Sequence, residues 1–124
     1  MMKHLVFIFF TSLLFTNCVN AQEIKTISTL EVKELLSKDK IQLVDVRTPV
    51  ELRFGYIESA VFINYFDNNF TEKSVSKLDK NKPVYLYCRT GNRSEKASKI
   101  LQEKGFKVYN ILGGYNQWKK ENKK

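Results

Sequence analysis

Histidine and cysteine are scarce in this sequence of 124 residues, which contains one histidine and two cysteines. His4 and Cys18 both lie in an N-terminal segment that we expect to be removed on export. The remaining chain then carries Cys88 as its single cysteine and has no histidine. This composition excludes an internal disulfide, a Ser-His-Asp triad, a Cys-His dyad and any metal site built on histidine.

Long apolar runs are also scarce, and the one that is present lies at the N-terminus. Lys3 precedes the run Leu5–Phe15, and residues 19–21 place small side chains at the positions that a signal peptidase reads before its cut. A basic start, a short apolar run and a small-residue site together predict a secretory signal peptide over residues 1–21. We therefore expect a periplasmic mature chain that begins at Gln22 and has no further membrane contact.

Two alternatives to a cleaved signal remain open. Cys18 could become the lipidated first residue of a lipoprotein, although the preceding residues 15–17 match the usual processing box poorly. The apolar run could instead be an anchor or a first strand, but it is too short to span a bilayer easily. The absence of further runs of spanning length excludes a polytopic membrane protein.

Basic residues outnumber acidic ones, 21 to 13, and give a formal net charge of +8. The lysines are scattered along the chain, and no nucleic-acid-binding motif accompanies them. We therefore interpret the charge as a solvated basic surface that attracts small anions, and we expect no nucleic-acid partner. The lysine-rich end, residues 119–124, predicts a frayed tail.

Strand and helix patterns alternate at short intervals through residues 22–124, without internal repeats or a linker, and predict one domain. Strands are predicted at Ile24–Ile27, Ile41–Val46, Val61–Ile63, Pro83–Tyr87 and Val108–Leu112. Helices are predicted after the capping box Ser28–Glu31 with Leu30, Leu35 and Leu36 inward, from Pro49 to before Gly55, over Asn69–Leu78, from Ser94 to Lys104, and from Gly114 onward. The alternation indicates an α/β fold with a largely parallel central sheet.

Cys88 follows a buried strand directly and therefore lies at the edge of the sheet where open α/β sheets bind ligands. The following loop contains Gly91, Arg89 and Arg93, and Ser94 is placed to cap the next helix. Loop amides that point at the sulfur would form an anion-binding nest, and the two arginines would add positive charge. Both effects predict a lowered pKa for the thiol. A lone buried cysteine is usually inert, but a glycine-containing turn with two arginines favours a functional one.

Four segments, in this order, resemble the motifs of single-domain rhodanese-like sulfurtransferases. They are Leu43–Arg47 with Glu51, Gly55–Ala60, the active loop Cys88–Ser94, and Leu112–Gly114 with Trp118. The resemblance covers most of residues 22–124. It departs from the family where Gly-His-Ile-x-Gly-Ala is expected, because Tyr56 and Ser59 replace the histidine and the second glycine.

The resemblance implies a three-layer domain with helices on both faces of the sheet, and a sulfur-transfer activity without a cofactor or metal. Cys88 would take sulfane sulfur from a small anionic donor such as thiosulfate, hold it as a persulfide, and pass it to a thiol, to cyanide or to a protein acceptor. The residues that would bind substrate and persulfide are Arg89, Thr90, Gly91, Asn92, Arg93 and Ser94. Asp45 and Arg47 would support the site, although the residues themselves favour a structural ion-pair network with Glu51.

Two other functions compete with the enzyme. A sulfur carrier that delivers to a dedicated partner would use the same cysteine chemistry. Phosphatases of related fold place five residues between the catalytic cysteine and arginine, whereas Cys88 and Arg93 enclose four. The smaller ring of amides suits one sulfur atom better than a tetrahedral phosphate.

Overall fold

The computed structural model describes residues 23–123. The predicted signal peptide, residues 1–21, and Cys18 lie outside the described residues, so export and lipidation stay predictions. None of the helices within residues 23–123 is both long enough and apolar enough to cross a membrane.

Strands and helices alternate strictly along the described chain, as the sequence predicts. The strands are β1 (Lys25–Ile27), β2 (Gln42–Asp45), β3 (Val61–Phe62), β4 (Val84–Tyr87) and β5 (Val108–Ile111). The helices are α1 (Thr29–Lys38), α2 (Pro49–Leu52), α3 (Phe70–Lys77), α4 (Asn92–Glu103) and α5 (Gly114–Glu121).

The five strands form one sheet in the order β1-β5-β4-β2-β3, and every neighbouring pair is parallel. Strand β4 therefore lies in the middle of the sheet, between β2 and β5. In a parallel sheet all carboxyl ends meet at one edge, so the residues that follow β2, β4 and β5 converge there. The cysteine that follows β4 is placed at the centre of this edge.

Helices cover both faces of the sheet, which confirms the predicted three-layer α/β fold. One core cluster joins α3 and α4 to one side of the strands through Phe70, Ala97 and Leu101. The other joins α1 and α5 to the opposite side through Val32 and Tyr115. Because both faces are buried, the central strands read as nearly continuous apolar runs rather than as alternating patterns.

Three details of the helices differ from the sequence predictions. Leu30 is exposed, whereas Val32 is fully buried. The reason is that the face of α1 that contains residues 29, 32 and 36 packs against the sheet. Helix α4 begins at Asn92, so Ser94 lies inside its first turn and does not cap it. Helix α5 continues through residues 119–121, which were predicted to fray, because the Glu121 carboxylate accepts hydrogen bonds from Thr29 and Gln117.

Hydrogen bonds to two buried side chains fix the turn over residues 55–60, where Tyr56 and Ser59 depart from the family motif. Ser59 adopts a left-handed backbone conformation, with φ of +73°, at the position where the motif has glycine. The Ile57 amide donates to the buried Tyr87 hydroxyl at 3.0 Å, and the Gly55 carbonyl accepts from Arg47 at 2.9 Å. These bonds hold the turn, and Tyr56 packs its exposed ring against Phe62.

We predict that Ser59→Gly stabilises the protein by about 0.5–1 kcal/mol, because a left-handed conformation strains every side chain that has a Cβ. The melting temperature should rise by about 3–6 °C in calorimetry. Ser76→Gly, at an exposed position inside α3, is the matched control and should lower the melting temperature. A Ser59→Gly protein that melts at or below the wild-type temperature would contradict the strain.

Candidate active site

Cys88 lies directly after the central strand β4, and only 1% of the residue is exposed. The chain then makes a short loop whose last residue, Gly91, is the N-cap of α4 with φ of +116°. A residue with a Cβ is strained in this conformation, so glycine is required for the loop to turn into the helix.

The start of α5 holds the loop from the other side. The Tyr115 amide donates to the Cys88 carbonyl at 2.8 Å, and the Asn116 amide donates to the Arg89 carbonyl at 3.1 Å. Gly114 makes this contact close, because a Cβ at that position would collide with both carbonyls. The glycine at position 114 of the last motif therefore allows α5 to bind the active loop through these two hydrogen bonds.

Two groups of the loop and helix surround the sulfur itself. The Gly91 amide donates to Cys88 Sγ at 3.1 Å, and the Ser94 hydroxyl lies 3.4 Å from it. These contacts match the nest that the sequence predicts.

The pKa of the Cys88 thiol is the net result of opposing effects. Burial raises it, while hydrogen bonds from the Ser94 hydroxyl and from the amides of Ser94, Gly91 and Thr90 lower it further than burial raises it. The pKa therefore lies below the ordinary cysteine value, in the predicted direction. Of the two causes that the sequence predicts, the hydrogen bonds of the loop rather than the arginine charges dominate this lowering of the pKa.

The Arg93 guanidinium forms a two-pronged ion pair with Glu51, so two of its five N–H groups are already bound to a carboxylate. The Nη1–Oε1 and Nη2–Oε2 distances are 2.7 and 2.8 Å. The hydrogen bonds from Arg93 lower the pKa of Glu51 to about 2. Since this pKa is depressed in the folded chain, the pair stabilises the fold fully above about pH 5 and loses that effect as the pH falls toward 2.

Asp45 and Arg47 form a buried ion pair with a 2.7 Å contact, and Arg47 also packs over the Tyr115 ring. The geometry therefore agrees with the structural ion pair that the sequence favours for Asp45 and Arg47. The predicted place of Glu51 is wrong, however, because this carboxylate binds Arg93 instead of joining the Asp45–Arg47 pair.

A cavity of about 310 Å³ adjoins the active loop, between α2, the loop and α5. Arg89 and Lys119 contribute cationic side chains to its lining, and Val50 and Phe54 contribute apolar ones. The sequence predicts Arg89 as a donor-binding residue, and the structure places it in this cavity. Lys119 was assigned to a frayed tail and is brought here by the longer helix α5.

The side chains of Thr90 and Asn92 are exposed, as that of Arg89 is, and their part in substrate binding stays a prediction. Within residues 23–123 no cluster of His, Cys, Asp and Glu side chains is suited to hold a metal ion. A second cavity, of about 630 Å³, lies between α1, the 57–59 turn and Trp118, and Cys88 does not line it.

The sequence model of the rhodanese-like domain family matches residues 28–121. The chain belongs to the rhodanese-like domain family. The match includes all strands except the first three-residue one, and it contains the entire active loop.

Curated relatives and solved structures agree with this membership. The chain is 40% identical to the putative sulfurtransferase YtwF of Bacillus subtilis, over 82% of this chain and 96% of that one. It is 37% identical to the thiosulfate sulfurtransferase GlpE of Coxiella burnetii, over 77% of this chain and 87% of that one. A rhodanese-like domain protein from Staphylococcus aureus matches with a TM-score of 0.70 and 34% identity, covering 77% of this chain and 91% of that chain.

Sequence reasoning missed Asn110 and Lys119 near the rhodanese-like site, and it assigned Glu51 to the wrong partner. Asn110 and Lys119 carry no motif, since one reads as a strand residue and the other as part of a charged tail. Glu51 was recognised, but its partner lies 42 residues away in the chain. The one usable signal was the apolar pattern of β5, which Asn110 interrupts.

We predict that iodoacetamide alkylates Cys88 with a pH midpoint below that of a free thiol, because the loop donors stabilise the thiolate. Ser94→Ala removes one donor and should raise the midpoint by about one unit. Ser98→Ala is the matched control, since its hydroxyl binds the Ser94 carbonyl and not the sulfur. A wild-type midpoint at or above the free-cysteine value would contradict the cradle.

Proposed function

We propose that this protein is a sulfurtransferase of the thiosulfate type, in which Cys88 carries the transferred sulfur as a persulfide. The observation that supports this most directly is the sulfur's environment. Cys88 Sγ is almost fully buried, yet it is surrounded by N–H and O–H donors rather than by apolar groups alone. Such a site stabilises negative charge on a sulfur atom and on a second sulfur bonded to it.

The proposed reaction has two steps that balance without a further reagent. The Cys88 thiolate attacks the outer sulfur of thiosulfate, a new S–S bond forms, and sulfite leaves with the electrons of the broken bond. An acceptor thiolate or cyanide then attacks that outer sulfur, and the electron pair of the second broken bond returns to Sγ. Neither step requires a histidine base once the thiolate exists, and residues 23–123 contain no histidine.

The size of the loop supports sulfur transfer over phosphate hydrolysis. Four residues lie between Cys88 and Arg93, and the Arg93 guanidinium is held by Glu51. A phosphatase needs donors for three equatorial oxygens and an acid for the leaving group. The loop has the donors for one sulfur, and it lacks an acidic side chain.

The cavity beside the loop supports a small anion as the donor. Arg89 and Lys119 present positive charge there, and neither forms an ion pair within the described residues. Arg93, by contrast, is neutralised by Glu51. We therefore assign donor binding mainly to Arg89, and the acceptor to a thiol, to cyanide or to a protein thiol.

We predict that the chain, mixed with thiosulfate, gains the mass of one sulfur on Cys88 and releases one equivalent of sulfite. Cyanide or a thiol should then remove the sulfur and regenerate the original mass. Cys88→Ser should show no gain, because a serine hydroxyl is not ionised at neutral pH. Intact-protein mass spectrometry and a sulfite assay measure both half-reactions.

The same experiment separates the competing functions. A persulfide that forms but turns over only with a protein partner would make the chain a sulfur carrier. A wild-type protein that forms no persulfide, yet hydrolyses an aryl phosphate through Cys88, would refute sulfur transfer.

We predict that Arg89→Gln lowers kcat/KM for thiosulfate by about tenfold or more, the effect of losing one charged hydrogen bond. The loss should appear mainly in the half-reaction with thiosulfate, because Arg89 is assigned to binding the donor and not the acceptor cyanide. Arg53→Gln is the matched control, since Arg53 is an exposed arginine outside the cavity lining. Equal losses in both variants would show a general charge effect and would contradict a donor site at Arg89.

A further inference from the structure

Asn110 is a buried polar residue in the otherwise apolar strand β5, with only 5% of its surface exposed. It pairs in register with Leu86 of β4, two residues before the cysteine. Its side chain therefore lies at the carboxyl edge of the sheet, beneath the active loop. A buried amide persists in such a place when its hydrogen bonds are satisfied, and both ends of this one have partners.

The two ends of the Asn110 amide have distinct partners. Nδ2 donates to the Gly91 carbonyl at 3.1 Å, and Oδ1 lies 2.6 Å from the Ser94 hydroxyl. The opposite orientation would place Oδ1 against the Gly91 carbonyl, and two acceptors repel each other. The Gly91 carbonyl thus fixes the amide so that its oxygen faces Ser94.

The Ser94 hydroxyl has one proton and three acceptors within reach. Asn110 Oδ1 is the nearest at 2.6 Å, the Gly91 carbonyl lies at 3.1 Å, and Cys88 Sγ lies at 3.4 Å. A neutral thiol is a weak acceptor, whereas a thiolate is a strong one. The hydroxyl proton therefore goes to Asn110 while Cys88 is a thiol, and rotates to the sulfur when Cys88 ionises.

We propose that Asn110 is a positioning residue of the sulfur-transfer site, whose amide anchors the loop at Gly91 and competes with Cys88 for the Ser94 hydroxyl proton. This inference rests on the proposed function. Each time the thiolate takes the proton, Asn110 Oδ1 loses its partner in a buried place, which costs free energy. Asn110 thus limits how far the thiolate is stabilised, and a less stabilised thiolate is the better nucleophile.

The proton returns to Asn110 when the persulfide forms, because the negative charge then moves to the outer sulfur. When an acceptor thiolate attacks that sulfur, the Sγ–S bond breaks and its electron pair returns to Sγ. The Ser94 hydroxyl can then donate to the leaving Sγ. The same side chain is thus a donor to sulfur in the thiolate state and a donor to Asn110 in the persulfide state.

The charged groups around this network do not change in the proposed cycle. Arg93 of α4 remains paired with Glu51 of α2, and Asp45 at the end of β2 remains paired with Arg47. Arg89 of the loop faces the neighbouring cavity together with Lys119 of α5. A shift of the Cys88 titration on substitution of Asn110 therefore reports the hydroxyl proton and the loop anchor.

A double-mutant cycle separates these two effects. Asn110→Leu is measured by alkylation against pH in wild type and in Ser94→Ala. In Ser94→Ala only the loop anchor is lost, so the midpoint should stay or rise. In the wild-type background, Asn110→Leu also frees the Ser94 hydroxyl to bind the thiolate. The shift in midpoint that Asn110→Leu causes should therefore be about one unit more negative in wild type than in Ser94→Ala. Asn110→Leu in a Ser98→Ala background is the matched control and should behave as in wild type.

A wild-type measurement supports the cycle if Asn110→Leu does not fold. The ¹³Cγ resonance of Asn110 should shift with the same pH midpoint as Cys88 alkylation, and the shift should vanish in Ser94→Ala. Equal effects of Asn110→Leu in both backgrounds, or a ¹³Cγ resonance that ignores the Cys88 titration, would overturn the proposal. Neither experiment requires turnover, because both follow the ionisation of Cys88. A protein that forms no persulfide would refute the proposed function, and these two experiments would still test the role of Asn110.

Discussion

The burial of the Cys88 sulfur is the constraint on which the rest of the site depends. Burial alone would keep the thiol neutral, because a charge without partners is unstable away from water. Donors from Thr90, Gly91 and Ser94 reverse that effect. They point at the sulfur only because Gly91 turns left-handed into α4 and because α5 binds the loop carbonyls. The same loop and helix contacts therefore shape this edge of the sheet and set the environment of the sulfur.

Charge is divided around the sulfur in a consistent way. Two ion pairs, Asp45–Arg47 and Glu51–Arg93, neutralise the side chains that adjoin the loop. The unpaired positive charge of Arg89 lies in the neighbouring cavity instead. Unpaired positive charge therefore lies in the cavity next to the loop, while the sulfur itself lies within hydrogen-bonding distance of two neutral donors, the Gly91 amide at 3.1 Å and the Ser94 hydroxyl at 3.4 Å. These bonds depend less on ionic strength than exposed charges do.

The fold and the place of Cys88 at the edge of the sheet are predictable from the sequence because both depend on local patterns. The alternation of strand and helix patterns indicates the parallel sheet, and a cysteine after a central strand indicates the sheet edge. The partners of Glu51 and Asn110 are not predictable in this way, since they lie 42 and 16–19 residues away in the chain. The extent of α5 was missed for the same reason, because Thr29 of α1 holds its last turn.

The most direct test of the account is a crystal structure of the protein soaked in thiosulfate. We expect one additional sulfur atom bonded to Cys88 Sγ, within hydrogen-bonding distance of the loop amides, with the Glu51–Arg93 pair intact and no sulfite attached. Thiosulfate bound elsewhere with Sγ unmodified would contradict the account. So would an extra sulfur that points away from the amides, because the loop would then have no part in holding it.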